Sequence, residues 1–365
     1  MTTVEESCRV QQPSKEAAIS ALEKIMDGVT SGEENRMVDA AREIRRLTKN
    51  SSKNRRHLSK TIEPLVLMLE NGSVACNESA LIALLNLAVR DERNKTKIVN
   101  SGALLPLTGY LCSTNTTLQE CATATLLTLT ASKSKKEIIT DFGMIPILVN
   151  ILRDGSLQSK IDALLALYNL FPLGHNLSTI LSLRPVASIV SLLNSCKKSS
   201  KHVEKSISLL ESLLGFEDGR VALAEKEGGL LTVVEVLEEG SSKSKEHALG
   251  ALLTICESEE QERENYREAI LEEGVIPGLL ELTVQGSPES QVKARRLLEI
   301  LRGAPSQRTQ LHADTLDNIV TNIVSKIDGD NEEEKMEKSK KMMEEMVKIS
   351  MEQSLTHLQQ RASVV

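Results

Sequence analysis

Two groups of side chains in this sequence are placed to recognise another molecule. Asn86 and Asn169 each stand six residues after an alanine, Ala80 and Ala163. A carboxamide offers a donor and an acceptor together, the pair that an extended polypeptide backbone presents, so amides recurring at one helical position could clamp such a chain. The second group is basic. From Arg42 to Lys60 the chain carries eight cations, Arg42, Arg45, Arg46, Lys49, Lys53, Arg55, Arg56 and Lys60, against one acid, Glu43. That density suits an acidic peptide, a phosphorylated tail or an anionic lipid head group. The competing reading of any charge run is a solvated face.

Nothing comparable points to a reaction. The sequence has no G-x-x-x-x-G-K phosphate loop, no H-E-x-x-H, no G-x-S-x-G and no G-x-G-x-x-G. His57, His175, His202, His247, His312 and His357 follow no metal-ligand rhythm. His175 and His202 are assigned to polar loops, and His247 to the edge of a buried face. The six cysteines contain no C-x-x-C pair and are read as reduced thiols, mostly buried in helices. Neither a metal nor a cofactor is expected, and no enzyme activity. The 44 basic and 51 acidic residues give a net charge of −7, which offers a nucleic-acid backbone no general attraction. A polar N-terminus and the lack of any apolar run of about 18 residues predict a chain of the cytoplasm or nucleus, with membrane association disfavoured.

The elements that must carry these groups follow from a repeat. Only six of 365 residues are aromatic and none is Trp, so the apolar material is Leu, Ile, Val, Ala and Met, a composition for stacked helices. A small residue followed by apolar residues three, four and seven positions later recurs seven times, at Ala40, Ala80, Ala122, Ala163, Ser206, Ala248 and Ala294; the first copy has Glu43 at the third position. That spacing lies on one helix face. Ahead of most copies stands Gly, an apolar pair and Pro, as in Gly102 to Pro106, Gly143 to Pro146 and Gly274 to Pro277. Gly228-Gly229 lacks the Pro, while Glu63-Pro64 and Arg184-Pro185 lack the Gly. Glycine accepts the left-handed turn that ends one helix, and proline suits the first turn of the next. Each unit is therefore predicted as a short helix, a Gly turn, a second helix, a polar loop and a third, buried helix. Copies 40 to 46 residues apart match the armadillo/HEAT period. The expected architecture is an all-α, right-handed armadillo superhelix of six to seven repeats over residues 16–304, its third helices lining a concave surface, after a disordered tail at 1–15.

Three stretches sharpen that assignment: Ala40-Ala41-Arg42-Glu43-Ile44-Arg45-Arg46-Leu47-Thr48-Lys49 with Asn54-Arg55, Asn77-Glu78-Ser79-Ala80 through Leu85-Asn86-Leu87, and Lys160-Ile161-Asp162-Ala163-Leu164 through Tyr168-Asn169-Leu170. In wording and order they resemble the armadillo arrays of plant U-box proteins and of relatives lacking the U-box. Some 15 residues precede the first predicted helix, and no Cys-Pro-Ile-type U-box opening occurs among them. The resemblance thus implies the substrate-docking or regulatory half of a ubiquitin ligase without its catalytic adaptor. It implies an interaction scaffold in ubiquitin-dependent or receptor-kinase signalling, with a kinase or an E3 ligase among its partners. An accessory role within a U-box ligase stands as the alternative, and a membrane-peripheral adaptor using the basic patch as a third.

The expected binding residues are Asn86, Arg90, Thr128, Asn169 and Arg296 on the third helices, together with the Arg42 to Lys60 patch. The amide ladder is broken, because Arg46, Ser212, Thr254 and Ile300 fill the equivalent position elsewhere. Asn86 and Asn169 also have a purely structural reading, in which they bridge neighbouring helices. Arg55 has one too, ordering a loop between helices. Residues 305–365 are predicted to form a helical extension, ending in a Met-rich stripe at Met342, Met343, Met346, Val347 and Ile349. It reads either as a cap over the last repeat or as a recognition helix.

Overall fold

The computed structural model describes residues 15–257 and 260–302, and every regular element among them is helical. Of the tail expected at 1–15, only Lys15 is described, as the first residue of a helix; residues 1–14 and the helical extension expected at 305–365 lie outside the described residues. The first set comprises α1 (Lys15–Val29) and α2 (Glu34–Thr48). Six three-helix sets follow. They are α3 (Ser52–His57), α4 (Ile62–Asn71) and α5 (Val74–Ala88); α6 (Glu92–Asn100), α7 (Leu104–Leu111) and α8 (Thr116–Thr130); α9 (Lys136–Asp141), α10 (Met144–Asp154) and α11 (Leu157–Leu170). Next come α12 (Asn176–Ser182), α13 (Val186–Ser195) and α14 (Lys201–Leu214); α15 (Glu217–Glu225), α16 (Gly229–Glu239) and α17 (Ser242–Cys256); α18 (Glu260–Glu272), α19 (Ile276–Gln285) and α20 (Pro288–Arg302). A 3-10 turn, Leu58–Thr61, links α3 to α4. Each anchor of the sequence repeat lies in the last helix of its set.

The anchor face is the core. Ala80, Ala83, Leu84 and Leu87 of α5 are fully buried, as are Ala163, Ala166, Leu167 and Leu170 of α11. In α8 a threonine, Thr125, takes the third-position site. Its buried hydroxyl donates to the carbonyls of Cys121 at 2.8 Å and Leu81 at 3.3 Å, so a polar atom fits where its neighbours carry a methyl. The residue after the first six anchors is buried as well: Ala41, Leu81, Thr123, Leu164, Ile207 and Leu249. In α20 that position is Arg295, exposed to solvent.

Two glycine devices set the turns. Gly102, Gly143, Gly228 and Gly274 have φ between 66° and 85° at the junction of first and second helices. Arg184 makes the same turn at φ 53°, an uncommon conformation for a side-chain-bearing residue, immediately before Pro185. The second device is absent from the sequence reading above. Gly72-Ser73, Gly155-Ser156, Gly240-Ser241 and Gly286-Ser287 each lead into a third helix, followed three residues later by Cys76, Ser159, Ser244 and Ser290. The serine caps the helix, accepting from the N–H of that third residue, for instance Ser159 to Ser156 at 3.2 Å. The glycine backbone is extended. A Cβ would stand only 2.5 Å from the Met68 carbonyl at Gly72 and 2.5 Å from the Leu282 carbonyl at Gly286, so close approach is what excludes a side chain.

The chain divides into two compact units, Met1–Leu192 and Leu193–Val365, with the boundary inside α13. Within the first, α2, α5, α8 and α11 pack successively against one another; within the second, α14, α17 and α20 do the same.

Candidate functional site

In the first unit the C-terminal ends of the third helices are tied together by the following first helices. Four carbonyls at a helix end lack an intrahelical donor. Asn54 of α3, Asn94 of α6 and Asn176 of α12 supply one each, their Nδ2 donating at 2.9 Å to the carbonyls of Leu47, Leu87 and Leu170. Arg55 completes the bracket between α2 and α5, with Nε donating to the Asn86 carbonyl at 3.1 Å and Nη2 to the Lys49 carbonyl at 3.0 Å. Lys136 makes the equivalent bond to the Asn169 carbonyl. Cations at helix C-termini are also favoured by the macrodipole.

Arg55 is therefore not a surface member of the basic patch. Only 8% exposed, it orders the junction of two helices. The other cations of the patch stay outside. Arg46 forms a double hydrogen bond with Glu43 at 2.6 and 2.7 Å, which holds that carboxyl below its usual range. Arg42 stands 3.8 Å from Asp39, and Arg56 is 3.9 Å from the buried Asp91. Arg45, Lys49, Lys53 and Lys60 are exposed and have no ion-pair partner among the described residues. Arg42 and Arg45 border a hollow of about 190 Å³ with Ala75, Glu78, Ser79 and Ile82 of α5.

The two asparagines serve the helix stack with their nitrogens. Asn86 Nδ2 donates to the Arg45 carbonyl at 3.2 Å, and Asn169 Nδ2 to Thr130 Oγ1 at 3.1 Å, each reaching the preceding third helix. Both remain half-buried. Thr128 is half-buried, its hydroxyl donating to the Ala124 carbonyl at 3.0 Å. Arg90 lies beyond the end of α5, in a turn at φ 55° with its side chain exposed. Beside these polar positions runs an apolar one. Ile82 and Leu85, Ala124 and Leu127, Leu165 and Tyr168 stand two and five residues after their anchors, all only half-buried. Cys121, on the same helices, has its thiol pushed up to about 11 by burial and then by the carboxylates of Glu78 and Glu120, so it carries no thiolate at neutral pH.

The second unit fills the corresponding positions differently. Glu211 stands five residues after its anchor, and His247 Nδ1 lies 2.6 Å from its Oε2. Gly250 makes room for that carboxylate, which occupies the space a Cβ would need. Arg296 lies 3.4 Å from Glu257 and 3.7 Å from Glu299, while Lys245 and Glu281 pair at 2.8 Å. The structure thus gathers Asn86, Arg45 and Lys49 in one place, puts Thr128 and Asn169 on later third helices of the same unit, and leaves Arg296 in the other unit.

Other expectations are adjusted in detail. His202 lies within α14 rather than in a loop, because Ser200 caps that helix by accepting from Val203 N at 3.3 Å. Of the cysteines, Cys76 and Cys256 are buried, Cys121 and Cys196 half-buried and Cys112 exposed. Another hollow, of about 570 Å³, lies away from the third helices, between α4 and α6, where Lys97 and Glu63 pair at 3.3 Å. Among the described residues, no group of His, Cys, Asp or Glu could hold a metal ion, and no single helix is long and apolar enough to cross a membrane.

A family model for the plant U-box protein ARM repeat region matches residues 20–302. U-box domain-containing protein 45 of Arabidopsis thaliana is 30% identical over 267 residues, 68% of this chain and 34% of that protein. U-box domain-containing protein 7 of the same plant is 31% identical over 161 residues, 44% of this chain and 20% of its own. The chain thus spans about a third or less of these relatives. Among solved structures, an engineered protein superposes with a TM-score of 0.65 at 21% identity, over 90% of this chain and 79% of that one. A second engineered protein gives 0.55 at 22% identity, over 64% and 95%.

Proposed function

Since the chain belongs to the family of plant U-box protein ARM repeat regions, we propose that it is a non-catalytic scaffold holding a partner protein, or an extended segment of one, against the third-helix face of its first unit. The observation that carries this reading is the half-buried apolar row Ile82, Leu85, Leu127, Leu165 and Tyr168, flanked by Asn86 and Asn169 and ending at the cations of α2. Buried flanks fix these side chains, and the area they leave open is apolar surface a partner could remove from water. Asn86 and Asn169 contribute an acceptor each, their nitrogens being engaged within the stack. Cytoplasm or nucleus is the proposed compartment, which imaging of the tagged chain would check. Affinity capture from plant-cell extract, read by mass spectrometry, tests the face directly. The doubly substituted L85E/L127E protein, confirmed as folded by its helical spectrum, should lose at least about tenfold of the captured partner. Capture that the two changes leave intact would overturn the assignment.

A second reading concerns the wider assembly. The relatives named above are U-box domain-containing proteins, which favours a substrate-docking role beside a ligase. Ubiquitination assays with E1 and E2 distinguish the two: transfer by this chain alone would refute the scaffold reading, and transfer only when a U-box protein is added would support docking.

A further inference from the structure

Arg42, Arg45, Arg46 and Lys49 have the spacing i, i+3, i+4 and i+7, which puts them on one face of α2 and its C-cap. The opposite face, Ala40, Ala41, Ile44 and Thr48, is buried against the helix stack. The stripe is thus held by a rigid, packed helix and faces away from its core. The Cβ atoms that carry its cations stand about 5 to 6 Å apart along that face, so the stripe presents them as a row along the helix. Arg45 and Lys49 have no ion pair among the described residues, and the pairs of Arg46 and Arg42 are exposed ones that a partner's carboxylate could replace at little cost. The stripe also adjoins the apolar row, because Asn86 bonds the Arg45 carbonyl while Arg45 and Ile82 border one hollow whose lining contains a single acid, Glu78.

We infer that the α2 stripe receives a carboxylate-rich segment of the partner, with successive carboxylates meeting successive cations. This rests on the scaffold reading above and adds the chemistry of the ligand. A row of separate single charges suits carboxylates along a chain, whereas one phosphate dianion needs donors that converge. A long polyanion is disfavoured by the rest of the molecule, where 36 basic residues face 50 acidic ones outside the Arg42 to Lys60 segment. The dipole at the α2 C-terminus accounts for Arg45 and Arg46 being basic; it does not account for Arg42 at mid-helix or for Lys53 and Lys60 outside it.

The test uses the full chain and a fluorescein-labelled ten-residue peptide of alternating Glu and Ser, followed by anisotropy. Binding at about 50 mM salt, weakening severalfold by about 300 mM, is expected. The triple variant Arg42→Ala, Arg45→Ala, Lys49→Ala should bind at least about tenfold more weakly, and a control in the second unit, Lys243→Ala with Arg295→Ala, should change affinity less than about twofold. Absence of binding at low salt, or equal losses in both variants, overturns the inference. So does stripe-dependent flotation on phosphatidylserine vesicles without peptide binding, which would assign the patch to a membrane. If the peptide fails while L85E/L127E still abolishes partner capture, the ligand chemistry is wrong and the scaffold reading stands.

Discussion

The two units are built by the same devices and differ in which side chains the less buried half of their third helices carries. In the first, the positions two, five and nine residues after the anchors read Arg42, Arg45 and Lys49, then Ile82 and Leu85, then apolar residues again. In the second they include Glu211, Glu257 and Glu299, and each of these carboxylates lies against a cation or histidine of that unit. The core rules do not differ: Leu84 and Leu252, four residues after their anchors, are equally buried. The contrast shows that the repeat fixes only the buried half of each third helix. The other half is left to vary, carrying carboxylates held in internal pairs in the second unit and cations followed by half-buried apolar residues in the first.

The largest expected effect tests the shared half. Leu84→Ala and Leu252→Ala each remove a fully buried leucine and should each cost about 2 to 5 kcal/mol. Calorimetry should show comparable losses; a tolerant site in either unit would mean that the cores are not equivalent. A smaller effect separates structural from displayed arginines. Arg55→Ala removes two charge-assisted bonds between α2 and α5 and should cost about 2 to 3 kcal/mol, whereas Arg45→Ala should fall within about 0.5 kcal/mol. Equal denaturation midpoints for the two variants would erase the distinction.

The smallest effect belongs to the acidic second unit. Glu238 has its carboxyl pushed up by partial burial, then by Glu239, Glu281 and Glu235, against the pull of Lys245. A carboxyl whose folded pKa lies above its unfolded one binds its proton more tightly when folded. Its contribution to stability is thus present at acid pH and lost as pH rises through the folded value. Glu238→Gln should therefore gain stability, read as melting temperature, relative to the unsubstituted protein as pH rises through the acid range, ending equal or slightly higher at neutral pH. A variant that instead loses stability relative to the unsubstituted protein as pH rises would contradict the crowding seen around this side chain.

The third helices were legible because Ala and Leu at helical spacing leave few alternatives, and the first Gly turn because Gly before an apolar pair and Pro is a local signal. The Gly-Ser-x-x-Ser entry was legible in principle, since it recurs four times with Cys76 as a variant, but it reads as an ordinary loop until the carbonyl behind the glycine is seen. Arg55 was hidden inside a charge run. The pairing of Asn54-Arg55 with Asn94-Lys95 is the pattern that marks a bracket, and in both the asparagine and the following cation are drawn inward. Asn86 and Asn169 share one helical position in the sequence and in α5 and α11, yet which of their atoms the helix stack engages depends on neighbours some 40 residues away, which no local pattern encodes. The division at Leu192 has no mark in the repeat spacing.

Hydrogen exchange of the full chain, alone and with the partner recovered by affinity capture, bears most directly on the claim that the first unit's third helices form the docking face. Protection concentrated in α2, α5, α8 and α11, with α14, α17 and α20 unchanged, is the predicted result; protection confined to α4, α7 and α10, or to the second unit, would contradict it.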